Sequence, residues 1–321
     1  MECHCLPAYE LPHTTPLYAA FLTDFAKVQR FFGHAPNLDG ARAAAAEVKL
    51  ESAARGAAAL PASGTVALQA RGAVGLQARE TIVEVLREQN RELGGGEDVT
   101  RNIERLAGGA VAVVTGQQVG LFGGPAYSFY KALTAVRLAQ ELTDAGVDAV
   151  PVFWLASEDH DLAEVNHCYW PREGGALHRL ELELGEHAAG RSVGSVQFGA
   201  TVTPLVKGAA GLLQGESYEW VAGALRAGYA PSETLSSAFG KMMSRLLAGR
   251  GLIMLDPLDA RVHRLAAPVY ARALEEREAL ASELVARGKE LDKAGFHAQV
   301  KVTARSTLLF CEVDGRRVAL R

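Results

Sequence analysis

Three patterns of apolar and polar positions run along the chain: helical spacing, short unbroken apolar runs, and strict alternation. Tyr18, Phe21, Leu22, Phe25, Val28, Phe31 and Phe32 recur at helical spacing, which predicts an aromatic-rich helical face packed on a core. An alanine-rich stretch, Ala43–Ala59, follows. A further helix carries Ile82, Val83, Val85 and Leu86 on its apolar side and is stopped by Gly94-Gly95-Gly96. Ala110–Val114 and Ala149–Ala156 are unbroken apolar runs, as expected of strands buried on both faces. A glycine-rich turn and a helix from about Pro125 to Ala145 separate them. Strand, helix and strand of these lengths predict a right-handed parallel crossover.

Leu177–Leu184 and Ser192–Phe198 alternate apolar and polar residues, which predicts a half-exposed hairpin inserted at about residues 172–203. Helices resume near Pro204. Leu252–Leu255 reads as a third core strand, entered after Gly249-Arg250-Gly251 and closed by Asp256-Pro257. Asp259–Lys293 keeps no heptad spacing, so one or two surface helices are expected there. Ser306–Arg321 reads as a hairpin turning at Asp314-Gly315. Its last residues, Val318-Ala319-Leu320, predict an exposed apolar edge. The fold class is therefore α/β. A mainly helical part, residues 1–107, is expected to pack on a core of parallel strands, residues 108–321.

Composition narrows the function. The 321 residues are 49% hydrophobic and 22% charged, enough to bury a substantial core. A formal net charge of -4 gives no field that would draw the chain to nucleic acid or an anionic membrane. No apolar stretch is long enough to span a bilayer and the start lacks a basic-then-apolar signal, so cytoplasm is the expected compartment. Cys3, Cys5, Cys168 and Cys311 form no disulfide pattern. Cys3-His4-Cys5 lacks a second pair of ligands and reads as two reduced thiols, so no metal ligand is assigned.

Chemistry is expected beyond the carboxyl ends of the parallel strands, where connecting loops diverge. The first such end runs from Thr115 through Gly116, Gln117, Gln118 and the glycines to Gly123-Gly124-Pro125. It lacks the Gly-Lys-Ser/Thr of a phosphate loop and the Gly-x-Gly-x-x-Gly of a dinucleotide site. Its glycines permit close backbone approach to a ligand, and Pro125 suits the first position of a helix whose N–H groups face an anion. Tyr127 and Lys131 are four apart and share a helix face. The second end is Ser157-Glu158-Asp159-His160-Asp161, followed by Glu164, Asn166 and His167. Four ionisable residues in a row are costly to bury and fit the mouth of a pocket. The same run also reads as a solvated loop with Asp161 or Asp159 capping the next helix. If the strand continued, Glu158 and His160 would point one way and Asp159 and Asp161 the other. His160 beside a carboxylate suits general-base work near neutral pH.

Thr115–Lys131 and Pro151–His167, in this order and spacing, closely resemble the bacillithiol biosynthesis cysteine-adding enzyme (cysteine ligase) family. Further likeness runs through Thr15–Tyr18, Gly251–Pro257 and Gly295–Val300. The resemblance implies a Rossmann-like core related to class I nucleotidyl transferases, with inserted segments and a helical coiled coil. It implies a ligase that joins the carboxyl of L-cysteine to the amine of glucosaminyl-malate in making bacillithiol, with a homodimer as the full-length form. The cofactor stays unassigned, with ATP or another nucleotide open as the energy donor. Such a reaction needs an activated carboxyl, donors for its oxyanion and a base for the ammonium proton. On this reading the catalytic group is His160, Asp159, Glu158 and Asp161. Substrate binding falls to Thr115, Gly116, Gln117, Gln118, Gly123, Gly124, Tyr127, Lys131, Ser157 and Asn166. Members of the family are longer, so the end of the core and the coiled coil are expected after Arg321. The alternative is a truncated, non-catalytic nucleotide- or substrate-binding remnant of that enzyme.

Overall fold

A computed structural model of the chain describes residues 6–57, 65–171, 173–185, 188–213, 215–298, 300, 302–303, 306–307 and 309–320. Cys3-His4-Cys5, the end of the alanine-rich stretch and Arg321 lie outside the described residues. The chain divides into two compact units. One is Met1–Ala54 with Ala267–Phe310 and Ala319–Arg321; the other is Arg55–Ala266 with Cys311–Val318.

In the first unit, the helix Pro16–Thr23 starts at Thr15, whose hydroxyl accepts from the Tyr18 N–H at 3.3 Å. The expected continuous aromatic helix is interrupted at Asp24, which takes an extended φ of -148° before helix resumes at Phe25–Val28. The break folds the aromatic residues onto each other: Phe21 meets Phe25 at 5.9 Å and Phe32 at 4.4 Å. Phe31 sits edge-on to Phe296, with the Arg30 and Arg287 guanidiniums over its ring.

The second unit is built on three parallel strands, β1 (Val111–Gln118), β2 (Ala149–Ala156) and β5 (Ile253–Leu255), in the order β1-β2-β5. β2 is central, so both its faces are covered. Val150 and Val152 join Val83, Leu86, Val99 and Ile103 of the helices Thr65–Glu92 and Glu97–Ala107. Phe153 and Leu155 join Ala132 of the helix Tyr127–Asp144 and Phe239, Met242 and Met243 of the helix Leu235–Leu246. This double burial is why the β2 sequence is apolar without alternation.

β5 is an edge strand of this sheet, and its open backbone is covered by side-chain amides. Asn90 donates to the Met254 carbonyl and accepts from the Met254 N–H, both at 2.8 Å. Gln89 does the same for Asp256, at 2.9 Å each way. Two successive amides of one helix thus stand in for a fourth strand.

β1 corrects an expectation: it runs on past Val114 to Gln118, so Thr115 and Gly116 lie inside the strand. Pairing with β2 holds this polar segment extended, Thr115 opposite Phe153 and Gln118 opposite Ala156. The hairpin also differs from expectation. It pairs β3 (His167–Pro171) with β4 (Leu177–Glu181), while Ser192–Phe198 forms a 3₁₀ turn at Val193–Ser195 and a single bridge from Gln197 to Thr234. Asp259–Lys293 resolves into two helices, Ala260–Glu275 and Arg277–Lys293. The last hairpin pairs strands Phe310–Val313 and Arg316–Ala319 around Asp314-Gly315, both with positive φ, and leaves Val313 and Val318 exposed. No helix among the described residues is long and apolar enough to cross a membrane.

Candidate functional site

Past Gln118 the chain makes a compact turn before entering the helix Tyr127–Asp144. Phe122, Gly123 and Gly124 all take positive φ, at 51°, 96° and 64°. Such a run favours glycine, and Phe122 tolerates it because its ring is buried against Tyr229 at 4.8 Å. The turn is tight enough that a Cβ on Gly120 would lie 2.7 Å from the Gly124 Cα. Tyr229 anchors it from below, its hydroxyl donating to the Gly120 carbonyl at 3.3 Å. Burial holds the Tyr229 phenol well above its ordinary pKa, so it stays a neutral donor. Beyond the turn, Ser128 is fully buried and its Oγ has no hydrogen-bond partner among the described residues.

Gln117 and Gln118 are successive strand residues, so their side chains leave on opposite faces of the sheet. Gln117 accepts from Lys131 Nζ at 3.1 Å and donates to the Tyr127 hydroxyl at 3.3 Å. Gln118 gives both hydrogens of its amide nitrogen to carboxylates: Asp159 Oδ2 at 2.8 Å and Glu164 Oε2 at 2.7 Å. The strand end therefore has a lysine on one face and a pair of carboxylates on the other.

The anionic cluster is built by a chain reversal, not by continued strand. β2 stops at Ala156 and the chain turns at Ser157, which corrects the expected alternation of residues 158–161. Asp159 and His160 consequently share one group. Asp159 Oδ1 accepts from the His160 N–H at 2.7 Å and lies 3.4 Å from both His160 Nδ1 and Arg317 Nη1. Arg317 Nη1 is also 3.3 Å from His160 Nδ1. Burial pushes the Asp159 carboxyl up, but the His160 amide, Gln118, Arg317 and His160 together bring it below the usual aspartate value.

The reversal rests on a buried support. Ser157, fully buried, donates to Asp256 Oδ1 at 2.5 Å, and Ser236 donates to Asp256 Oδ2. On the other side, the Val193 N–H donates to the Asp159 carbonyl at 2.6 Å and the Gly194 N–H to the Ser157 carbonyl at 2.8 Å. A Cβ on Gly194 would lie 2.3 Å from the Ser157 Cβ, so only glycine fits.

Measured against the sequence, Gln118 rather than Thr115 stands beside the end of β2. Gly116 answers to packing, since a Cβ there would meet the Trp154 carbonyl at 2.8 Å. Glu158 pairs with His263 at 3.2 Å, and Asp161 caps the short helix Leu162–Val165 through the Ala163 N–H. Asn166 donates to Glu181 at 3.3 Å at the base of the β3–β4 hairpin. Arg317, Asp256 and Ser236 were not among the expected residues, and Glu164 was noted only as following the second strand end. Asp256 at the end of the third predicted strand was the available signal; Arg317 carried none, being 158 residues from Asp159. Among the described residues no group of three or more His, Cys, Asp and Glu side chains is arranged to hold a metal ion.

A parallel sheet whose central strand packs on helices from both sides, with polar clusters at the carboxyl ends of β1 and β2, defines a Rossmann-like α/β protein. The chain belongs to the family described as "Bacillithiol biosynthesis BshC, N-terminal Rossmann-like domain", whose model matches residues 1–321. A relative from Koribacter versatilis (strain Ellin345), named "Putative cysteine ligase BshC", is 41% identical over 317 residues, covering 99% of this chain and 54% of the relative. One of the same name from Solibacter usitatus (strain Ellin6076) is 37% identical over 324 residues, covering 100% of this chain and 55% of the relative. The chain spans about half the length of the curated relatives it matches.

Proposed function

We propose that this chain supplies the Rossmann-like part of a cytoplasmic ligase that adds L-cysteine to glucosaminyl-malate through an activated carboxyl. The observation that carries the reading is the Gln118–Asp159–His160–Arg317 group standing one strand away from the glycine turn. An amide-forming reaction needs an anion to orient the incoming ammonium and a base to take its proton. Asp159, held below the usual aspartate range, is anionic at neutral pH and fits the first task. His160 fits the second when Nδ1 carries its proton and donates to Asp159, which leaves Nε2 as the acceptor. The Arg317 guanidinium only donates, so its contact with Nδ1 belongs to the other tautomer and opposes the base form. The Gly120–Gly124 turn and the start of the helix Tyr127–Asp144 are assigned to the nucleotide or carboxylate, and Gln117 with Lys131 to substrate.

The test uses the chain extended to the length of its relatives, with cysteinyl-glucosaminyl-malate measured from cysteine, glucosaminyl-malate and ATP or other nucleotides. His160→Ala and Asp159→Ala are each expected to cut turnover by roughly 10²–10⁴-fold with little change in melting temperature. Wild-type turnover in both variants would sink the assignment and leave residues 157–161 as a helix-capping loop.

A further inference from the structure

We propose that the second unit carries another ligand site, for a small organic acid, in a cavity of about 310 Å³ between the helices Val202–Gly211 and Tyr218–Gly228. Its walls are largely apolar, with Val206, Pro231 and Tyr229 among the lining residues. Lys207, Arg226 and Thr203 are also among its lining residues, and none of the described lining residues is acidic. Glu219 bonds Arg226 at 3.1 Å from outside the lining, which holds the guanidinium in place. Two cations over an apolar pocket match a carboxylate carried on a hydrocarbon body, the charge met by donors and the body by the walls. The volume lies at the small end of ligand cavities, which suits an organic acid of a few carbons better than a nucleotide.

The cavity is tied to the glycine turn. Tyr229 forms part of its wall, donates its hydroxyl to the Gly120 carbonyl and meets the Phe122 ring edge-on. A ligand seated against Tyr229 restrains that residue, and through its hydroxyl the carbonyl at the start of the turn. Its cationic residues, Lys207 and Arg226, lie outside the strand-end clusters, and its test reads binding by the 321-residue chain and not turnover, so it can fail separately from the ligase reading.

The experiment uses the purified 321-residue chain and three probes: isovalerate, its neutral isostere isovaleramide, and inorganic phosphate. Isovalerate is expected to bind, with isovaleramide at least about tenfold weaker because the charge-assisted bonds are lost. Phosphate is expected not to compete. Lys207→Met and Arg226→Met should each weaken isovalerate by about tenfold or more; both side chains are exposed, so the fold tolerates the change. Amide hydrogen exchange in residues 121–124 should slow when isovalerate is bound. Tyr229→Phe should keep affinity within about threefold but abolish that response, since only the hydroxyl that reaches Gly120 is removed. No isovalerate binding, equal binding of isovaleramide or phosphate, or unchanged affinity in both cation variants overturns the site. An exchange response that persists in Tyr229→Phe overturns the coupling.

Discussion

The Ser157 hydroxyl donates to Asp256 Oδ1 at 2.5 Å, tying the residue after β2 to the residue after β5. Asp256 Oδ2 takes the Ser236 hydroxyl, and Oδ1 also accepts the Leu258 N–H at 3.0 Å. One carboxylate therefore fixes the two strand ends and the start of the helix Leu235–Leu246, and the Asp159 loop stands on this base. Asp256→Ala leaves two buried hydroxyls without an acceptor and is expected to cost about 2–4 kcal/mol in urea denaturation. Asp256→Asn keeps one acceptor oxygen and should cost less. Equal stability of Asp256→Ala and wild type would show that the base is not needed.

The edge of β5 offers a matched pair. Asn90→Leu removes both amide contacts to Met254 and is expected to destabilise by about 2–4 kcal/mol, because it strands a backbone N–H and a carbonyl. Ser128→Ala removes an equally buried polar group that has no partner among the described residues, so it should be neutral or raise the melting temperature. A Ser128→Ala loss as large as that of Asn90→Leu would mean the Ser128 hydroxyl has a partner in solution.

These contrasts mark what the sequence discloses. β2 was legible to the residue because both its faces are buried and nothing in Ala149–Ala156 interrupts the apolar run. The Asp314-Gly315 turn was legible because positive φ at both positions selects those residue types. The end of β1 was hidden, since Thr115–Gln118 has the composition of a loop and is held extended by pairing with β2. Ser192–Phe198 alternates like a strand, yet its N–H groups go to Ser157, Asp159 and Glu233, which periodicity does not reveal. At the site, the strand-end residues were recognisable by type, but Arg317 entered only through folding.

Asp159 also sets a pH dependence. Its folded pKa lies below the unfolded value of about 3.9, so its contribution to stability is present above that value and lost as pH falls through the folded pKa. With the side chain more than a third exposed, solvent screening keeps the effect small. The melting-temperature difference between wild type and Asp159→Asn is expected to be constant above about pH 5 and to shrink as pH falls below the unfolded value of about 3.9. A difference independent of pH down to 2 would show that the charge of Asp159 contributes nothing to the fold.

Arg317 gives the sharpest test of the proposed chemistry, because a structural role and a positioning role predict different pH profiles. Its guanidinium lies within 3.4 Å of Asp159 Oδ1 and 3.3 Å of His160 Nδ1, so it acts on both groups without being assigned to either transfer. Removing its charge withdraws one of the contributions that hold Asp159 down, and the carboxyl pKa should rise. In the extended chain, if ionised Asp159 orients the ammonium, the acid limb of kcat/KM moves to higher pH in Arg317→Ala. Arg317→Lys keeps a positive charge and should return the limb part of the way. Gln118→Met removes a donor to the same carboxylate and should shift the limb in the same direction as Arg317→Ala. Gln117→Ala, whose contacts lie on the other face of the strand, should raise KM and leave the acid limb in place. The measurement is product formation from about pH 3, low enough to reach the limb set by Asp159, to about pH 9, with melting temperatures recorded for each variant. An acid limb unmoved in Arg317→Ala and in Gln118→Met, with both variants folded, would remove Asp159 from the reaction.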